Sequence, residues 1–353
     1  MSEMQAMCGI NLFSDTQTLP TDLMRQAMMD AEVGDDVYGQ DPTVRRLEER
    51  LAGEVAKECA LFVPSGHMGN LVCVMAHCKA GDEVIVEETS HLYSAESGSL
   101  AAIAHVMPRI VRGRDGLLDG ADVRAVLRCD DIHYPRTTLL CIENPHNAGG
   151  GAVLSLPELR DLSVAAKEHG LAVHLDGARL FNAAAALNVA AADICESADS
   201  VMVCLSKGLS APAGSVVAGS RAFIAEARRA RKLLGGGMRQ VGVLAAAGLV
   251  GLDTMMDQLR ADNENARLLA ESLAKLPGHR VEWSRVRTNI VNANVEGLQL
   301  SSDEYVAKLA EHGILASKRP PHVVRFVTNR HVDREDIGRV IEVAKRIGRA
   351  ACG

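Results

Sequence analysis

Apolar positions along this chain keep switching between helical and extended spacing. Over residues 41–57, Val44, Leu47, Leu51 and Val55 recur three or four apart, the period of a helix buried on one side. A short apolar run over 60–63 then meets Pro64-Ser65-Gly66, and a helical stretch follows over 67–78. The alternation repeats. Residues 83–87 and 138–142 read as strands, the second ending at Asn144-Pro145. Residues 159–169 read as a helix stopped by Gly170, and 171–175 and 200–205 as strands ending at Asp176-Gly177 and Ser206-Lys207. Apolar strands separated by helices predict an α/β fold with a mainly parallel sheet covered on both faces. Chemistry on such sheets gathers beyond the C-terminal strand ends. Those ends carry Ser65, Asn144, Asp176 and Lys207.

The second half changes character after Gly235-Gly236-Gly237. A long helix is predicted over 238–276, interrupted near Gly251. Short strands (280–283, 290–295, 323–327) then alternate with helices (303–312, 333–347). The pattern predicts three parts: a polar, turn-rich N-terminal arm over 1–25, a large domain over 26–249 and a small C-terminal α/β domain over 250–353.

Composition narrows the classes open to this fold. With 353 residues, 47 % hydrophobic and 24 % charged, the chain suits a large soluble domain plus a smaller one. Aromatics are only 3 %, so Ala, Val, Leu, Ile and Met must build the core. A formal charge of −7 and the lack of a long basic run argue against nucleic acid as a partner. The basic stretch over 227–232 reads as a solvated helix face. Nine cysteines at irregular spacing, without a CxxC pair, read as thiols in a reducing compartment, with neither disulfides nor a metal site. The start MSEMQAMCGI lacks a leader pattern and no run of about 20 apolar residues exists to cross a bilayer. The expectation is a cytoplasmic protein that does not enter a membrane.

Lys207 follows an apolar strand in Leu205-Ser206-Lys207-Gly208, flanked by small residues that leave it partly desolvated. Desolvation favours the neutral amine, the form that condenses with a carbonyl. A lone lysine is ordinarily a surface charge, and a strand-end Asp176 is ordinarily a helix cap. Together, on successive strand ends, they match pyridoxal phosphate: a lysine to bind it and a carboxylate to keep its pyridine nitrogen protonated. Ser65-Gly66-His67, at a strand-to-helix turn, offers backbone N–H groups and a helix dipole to the phosphate. It is neither a dinucleotide fingerprint nor a Walker loop. His91 is placed to stack on the ring. His146, past another strand end, is a candidate to act on a substrate hydroxyl. Arg179 and Arg325 are candidate forks for an amino-acid carboxylate.

Segments spread over nearly the whole chain resemble the threonine aldolases, pyridoxal-phosphate enzymes of the transferase-like fold type I. They are Ser14-Asp15-Thr16, Gly34 to Pro42, Pro64 to Asn70, Glu143 to Asn147, His174 to Asn182, Leu205 to Gly208, Gly235 to Gln240 and Arg325 to Thr328, in the family's order. The resemblance implies cleavage of threonine or allo-threonine to glycine and acetaldehyde. It implies Lys207 as the Schiff-base lysine, Asp176 on the ring nitrogen, His91 on the ring face, and Ser14, Arg179 and Arg325 on the substrate carboxylate. It also implies a homotetramer with shared active sites, to which Tyr38, Lys232 and Arg239 are contributed across subunits. Two features depart from the family. His67 stands where threonine is usual, and Ala148-Gly149-Gly150-Gly151 is an insert expected to be flexible.

The proton acceptor stays open between His91 and His146. Two rival readings also remain: a β-eliminating or bulky-substrate lyase on the same cofactor, separable by product identity, and a non-catalytic carrier of it.

Overall fold

The computed structural model describes residues 9–129 and 131–352. The first eight residues, on which much of the leader reading rests, lie outside them. Seven strands form the large sheet: β2 (Cys59–Val63), β3 (Glu83–Glu87), β4 (Met107–Val111), β5 (Thr137–Glu143), β6 (Ala172–Asp176), β7 (Ser200–Cys204) and β8 (Ser215–Gly219). Their order is β2-β8-β7-β6-β5-β3-β4, and only β8 runs against the others. The expected mainly parallel sheet is therefore present.

Its two-sided burial follows from the pleat. In β2, Ala60 and Phe62 join the core beneath helices Pro42–Glu54 and Gly242–Thr254, while Leu61 and Val63 join the core beneath helices Gly66–His77 and Arg221–Leu233. In β7, Val201 and Val203 turn one way and Met202 and Cys204 the other. Strands buried on both faces lack polar alternation, which is why the sequence exposes them as continuous apolar runs.

A second sheet of four strands, ordered β1-β10-β11-β9, forms the small C-terminal layer: β1 (Ile10–Leu12), β9 (Ile290–Asn294), β10 (Ile314–Arg319) and β11 (Val323–Val327). Its core includes Ile10, Leu12, Val291, Tyr305, Ile314 and Phe326. The N-terminal segment is thus not a simple arm. Ile10–Leu12 pairs in parallel with Ile314–Ala316, and Leu12 is fully buried.

Other expectations need correcting. The helix expected over 238–276 is two helices, Gly242–Thr254 and Met256–Leu273, with the break at Met255, just past Gly251. The strand expected over 280–283 is a single bridge from Arg280 to Asn294 followed by a 3-10 turn, Trp283–Arg285. In the basic run, Arg231 points inward, donating to the Phe62 carbonyl at 2.7 Å and pairing with Asp36 at 2.8 Å. Cys73, Cys141, Cys195 and Cys204 are buried free thiols. Among the described residues, no helix is long and apolar enough to cross a membrane.

Candidate active site

The C-terminal ends of β2, β3, β5, β6 and β7 deliver one cluster of side chains. Asp176 ends β6 and is buried. Its Oδ1 accepts from the Ala178 amide at 3.0 Å and its Oδ2 from Asn70 Nδ2 at 2.8 Å. The same Asn70 amide donates to Glu96 Oε1 at 2.8 Å, and Asn70 Oδ1 meets His174 Nε2 at 3.2 Å. Burial holds the His174 pKa down at about 4, so this imidazole is neutral, and its Nε2 proton fixes which way the Asn70 amide faces.

Glu96 is fully buried, and its Oε1 also lies 2.9 Å from His91 Nδ1. That hydrogen bond raises the His91 pKa above the ordinary histidine value, against the pull of burial. It also assigns the Nδ1 proton, leaving Nε2 as the acceptor when the ring is neutral. The His91 amide is anchored in turn, donating to Glu143 Oε2 at 2.6 Å. His91, Glu96 and Asp176 lie near enough to consider as metal ligands. The Asn70 amide between the two carboxylates makes them a hydrogen-bonded unit instead.

The turn expected to seat a phosphate opens helix Gly66–His77. Ser65 caps it, its Oγ accepting from the Met68 amide at 3.2 Å. A β-carbon at Gly66 would lie 2.8 Å from Cys204 Sγ, so only glycine lets this turn sit so close to the end of β7. His67 Nε2 stands 3.9 Å from Glu96 Oε2, on the edge of the same cluster. Lys207 is half-buried, and its carbonyl accepts from Thr18 Oγ1 at 2.8 Å.

Beside this lies a cluster of opposite charge. Arg179 donates from Nε and Nη2 to the two oxygens of Asp15, each at 2.7 Å, and from Nη1 to Asn147 Oδ1 at 3.3 Å. Burial would push Asp15 up, but Arg179, with Lys207 and Asn289, brings it down to about 2. Asp15 thus takes the Nε and Nη2 of Arg179, and Nη1 faces Asn147. Arg325 differs. Its Nη2 donates to Asn147 Oδ1 at 2.7 Å, and its Nε is buried without a partner. Burial, with Arg179 and Arg319 beside it, pushes Arg325 down to about 9, the mark of a cation awaiting an anion. Ser14 is half-buried beside Asp15 and its Oγ accepts from Thr16.

The structure gives His146 another place. It is 1 % exposed, and its Nδ1 accepts from the Gly149 amide at 3.1 Å. Its Nε2 faces Glu87 Oε2 at 3.2 Å, out of hydrogen-bond alignment, and Glu143 Oε2 at 3.8 Å. Burial pulls its pKa down, and the two carboxylates more than reverse this. His146 is thus buried, with Nδ1 engaged by the Gly149 amide and Nε2 turned toward the two glutamates. The insert beyond it is not loose either. A β-carbon on Gly149 would meet the Asp115 carbonyl at 2.0 Å, and one on Gly151 the Thr288 hydroxyl at 2.0 Å. The Gly151 carbonyl accepts from Thr288 Oγ1 and the Ala148 carbonyl from Asn292 Nδ2, so the loop is bonded to β9 and the segment before it.

Tyr38 and Arg239 are not brought to Lys207. Tyr38 is 71 % exposed, with the Arg239 guanidinium over its ring and Arg239 Nη1 on Asp35 at 2.8 Å. Sequence reasoning gave no role to Asp15, Asn70, Glu96, Glu143, Asn147 or Arg319.

Pyridoxal phosphate fits the residues present. Asn144 follows β5, its amide on the Asp176 carbonyl; its Oδ1 holds the Leu154 amide while its buried Nδ2 has no partner, a donor for an acceptor on a ligand. A fixed carboxylate, an imidazole, a free donor, a helix N-terminus and a lysine at adjacent strand ends define a pyridoxal-phosphate-dependent enzyme of fold type I.

Comparison with known proteins narrows this further. The beta-eliminating lyase family model matches residues 11–296. Low-specificity L-threonine aldolase 1 of Arabidopsis thaliana is 46 % identical over 94 % of this chain and 94 % of its own length. The low specificity L-threonine aldolase of Escherichia coli K12 is 40 % identical over 94 % of this chain and 97 % of its own. The structure of Leishmania major threonine aldolase superposes with a TM-score of 0.82 at 23 % identity, over 96 % of this chain and 99 % of that one. The chain belongs to the beta-eliminating lyase family, among its threonine aldolases.

Proposed function

We propose that the chain cleaves L-threonine and L-allo-threonine, and other β-hydroxy-α-amino acids, between Cα and Cβ, giving glycine and an aldehyde. One observation carries this reading: His91 Nδ1 on Glu96, which leaves Nε2 as a proton acceptor next to the Asp176 end of the cluster. Bound pyridoxal phosphate supplies an electron sink for the pair released when Cα–Cβ breaks. Lys207 holds the cofactor and yields it to the substrate amine. Asp176, held in place by Asn70 and the Ala178 amide, holds the proton on the ring nitrogen. Ser65, Gly66 and His67 take the phosphate, and Asn144 gives the ring its remaining donor. Arg325 and Ser14 hold the α-carboxylate. His91 Nε2 accepts the β-hydroxyl proton, and Glu96 stabilises the resulting imidazolium. His146 acts at one remove, fixing the loop that carries Asn147.

The working form is a homotetramer in the cytoplasm, with Tyr38, Lys232 and Arg239 completing a neighbouring site. Leu233, 77 % exposed beside Lys232 at the end of helix Arg221–Leu233, and the exposed Tyr38 support a covered face. The domain division at about residues 25 and 249 is kept, with β1 assigned to the small domain.

Acetaldehyde release from either threonine isomer, followed by a coupled NADH-dependent reductase, tests the reaction. Release that disappears in Lys207→Ala is expected. Ammonia and a keto acid in place of acetaldehyde would mean elimination and overturn the reading.

A further inference from the structure

Three guanidiniums meet on one asparagine. Arg179 Nη1 and Arg325 Nη2 reach Asn147 Oδ1 at 3.3 and 2.7 Å, and Arg319 Nη2 lies 3.5 Å from the Asn147 carbonyl oxygen. Only Arg179 has a carboxylate, the Asp15 side chain, and both of its oxygens are taken. Among the described residues, Arg319 and Arg325 form no ion pair. The nearest remaining acid, Glu143, already receives the amides of His91 and Asn147, and burial pushes its pKa upward. Two half-buried cations therefore stand without fixed partners, an arrangement that is destabilising unless anions arrive.

The sheet sets their spacing. Ser317 of β10 pairs with Arg325 of β11, and Arg319 is two residues beyond Ser317, so both arginines lie on the same face as diagonal neighbours. A substrate α-carboxylate answers Arg325. It does not also satisfy Arg319, which borders a cavity of about 1240 Å³ lined further by Ala148, Gly149, Arg287 and Asn292. This cavity does not include Lys207, Asp176 or His91.

We propose that Arg319 binds a second carboxylate, carried on Cβ of the substrate, so that the chain accepts β-hydroxy-α-amino dicarboxylic acids. The proposal rests on the retro-aldol reading above. For the smallest such substrate, 3-hydroxyaspartate, the β-hydroxyl loses its proton and the Cα–Cβ pair goes to Cα. A carbonyl forms at Cβ and Cα takes up a proton. The products are glycine and glyoxylate, and no oxidant or co-reactant is required.

The test compares kcat/KM for L-threonine and for the 3-hydroxyaspartate isomers in the cofactor-loaded protein, reading acetaldehyde and glyoxylate separately. Wild type should cleave 3-hydroxyaspartate. The ratio of hydroxyaspartate to threonine kcat/KM should fall about tenfold or more in Arg319→Gln, the scale of losing one charge-assisted contact. Arg319→Lys, which keeps the charge, should restore part of that ratio. As a binding readout, L-aspartate should inhibit threonine cleavage better than its neutral isostere L-asparagine, and lose that advantage in Arg319→Gln. An unchanged ratio in Arg319→Gln, or a wild type that cleaves threonine but neither cleaves hydroxyaspartate nor prefers aspartate, overturns the proposal. If threonine itself is not cleaved, the retro-aldol reading fails and this inference falls with it.

Discussion

Two charged clusters flank Lys207, and they are built on opposite plans. Around Asp176, carboxylates are held by neutral donors. Asn70 serves both Asp176 and Glu96, His174 orients Asn70, and Glu96 orients His91. Around Asn147, cations crowd together, and apart from the Asp15–Arg179 pair they lack counter-charges. The first cluster is preorganised negative charge, suited to holding a proton on a ring nitrogen at every turnover. The second is unbalanced positive charge, suited to a ligand that comes and goes. A site that keeps a resident cofactor needs satisfied polar groups, because burial punishes the unsatisfied ones. A site that binds and releases substrate keeps its counter-charge in the substrate.

Removing the fixed carboxylate from the cationic side should have the largest effect. Asp15→Ala leaves Arg179 buried and unpaired, with an expected loss of about 3–5 kcal/mol of stability by denaturant unfolding. The sign with pH follows from the depressed value. The pair contributes fully above the unfolded value of roughly 3.9 and is lost as pH falls through about 2, so the mutant should lack that acid limb. A mutant as stable as wild type at pH 7 would mean that Arg179 is satisfied without Asp15. On the other side, Asp176→Asn should retain the fold yet lower kcat by about 10²–10³-fold, the scale of one preorganised electrostatic group. A smaller effect on kcat than on cofactor affinity would demote it to a binding residue. Asn147→Ala should raise KM for threonine by about fivefold with a smaller change in kcat, since one hydrogen bond to a guanidinium is lost. The subtlest change is in Glu96→Gln. Without the carboxylate the His91 pKa drops, so the acid limb of the kcat/KM profile should move to lower pH. An unmoved limb would assign it to another group.

The parallel sheet and the strand-end positions of Asp176 and Lys207 were legible because each follows an uninterrupted apolar run. Strands β4, β8 and β10 were not read. In β4, Pro108 and Arg109 hide an edge strand whose burial is slight, and in β10 the pattern fades into Ser317-Lys318-Arg319. Asp15 and Arg179 lie 164 residues apart, and nothing in either neighbourhood announces the other. The surroundings of His146 were not legible, because a strand-end histidine looks the same in sequence whether its ring is open to the site or faces a buried pair of glutamates. Glu96 was missed for a related reason: its importance comes from burial beside Asn70, and burial of a glutamate has no local signature.

Residues 12–18 link three places at once. Leu12 is embedded in the small sheet, Asp15 grips Arg179, and the Thr18 hydroxyl donates to the carbonyl of Lys207 itself. It works as a tether with three knots, and tension applied at one is transmitted to the peptide that carries the reactive amine. A purification tag or immobilisation linker attached at the N-terminus would therefore pull on Lys207, whereas one attached beyond helix Arg334–Cys352 would load only that helix and the layer it packs against.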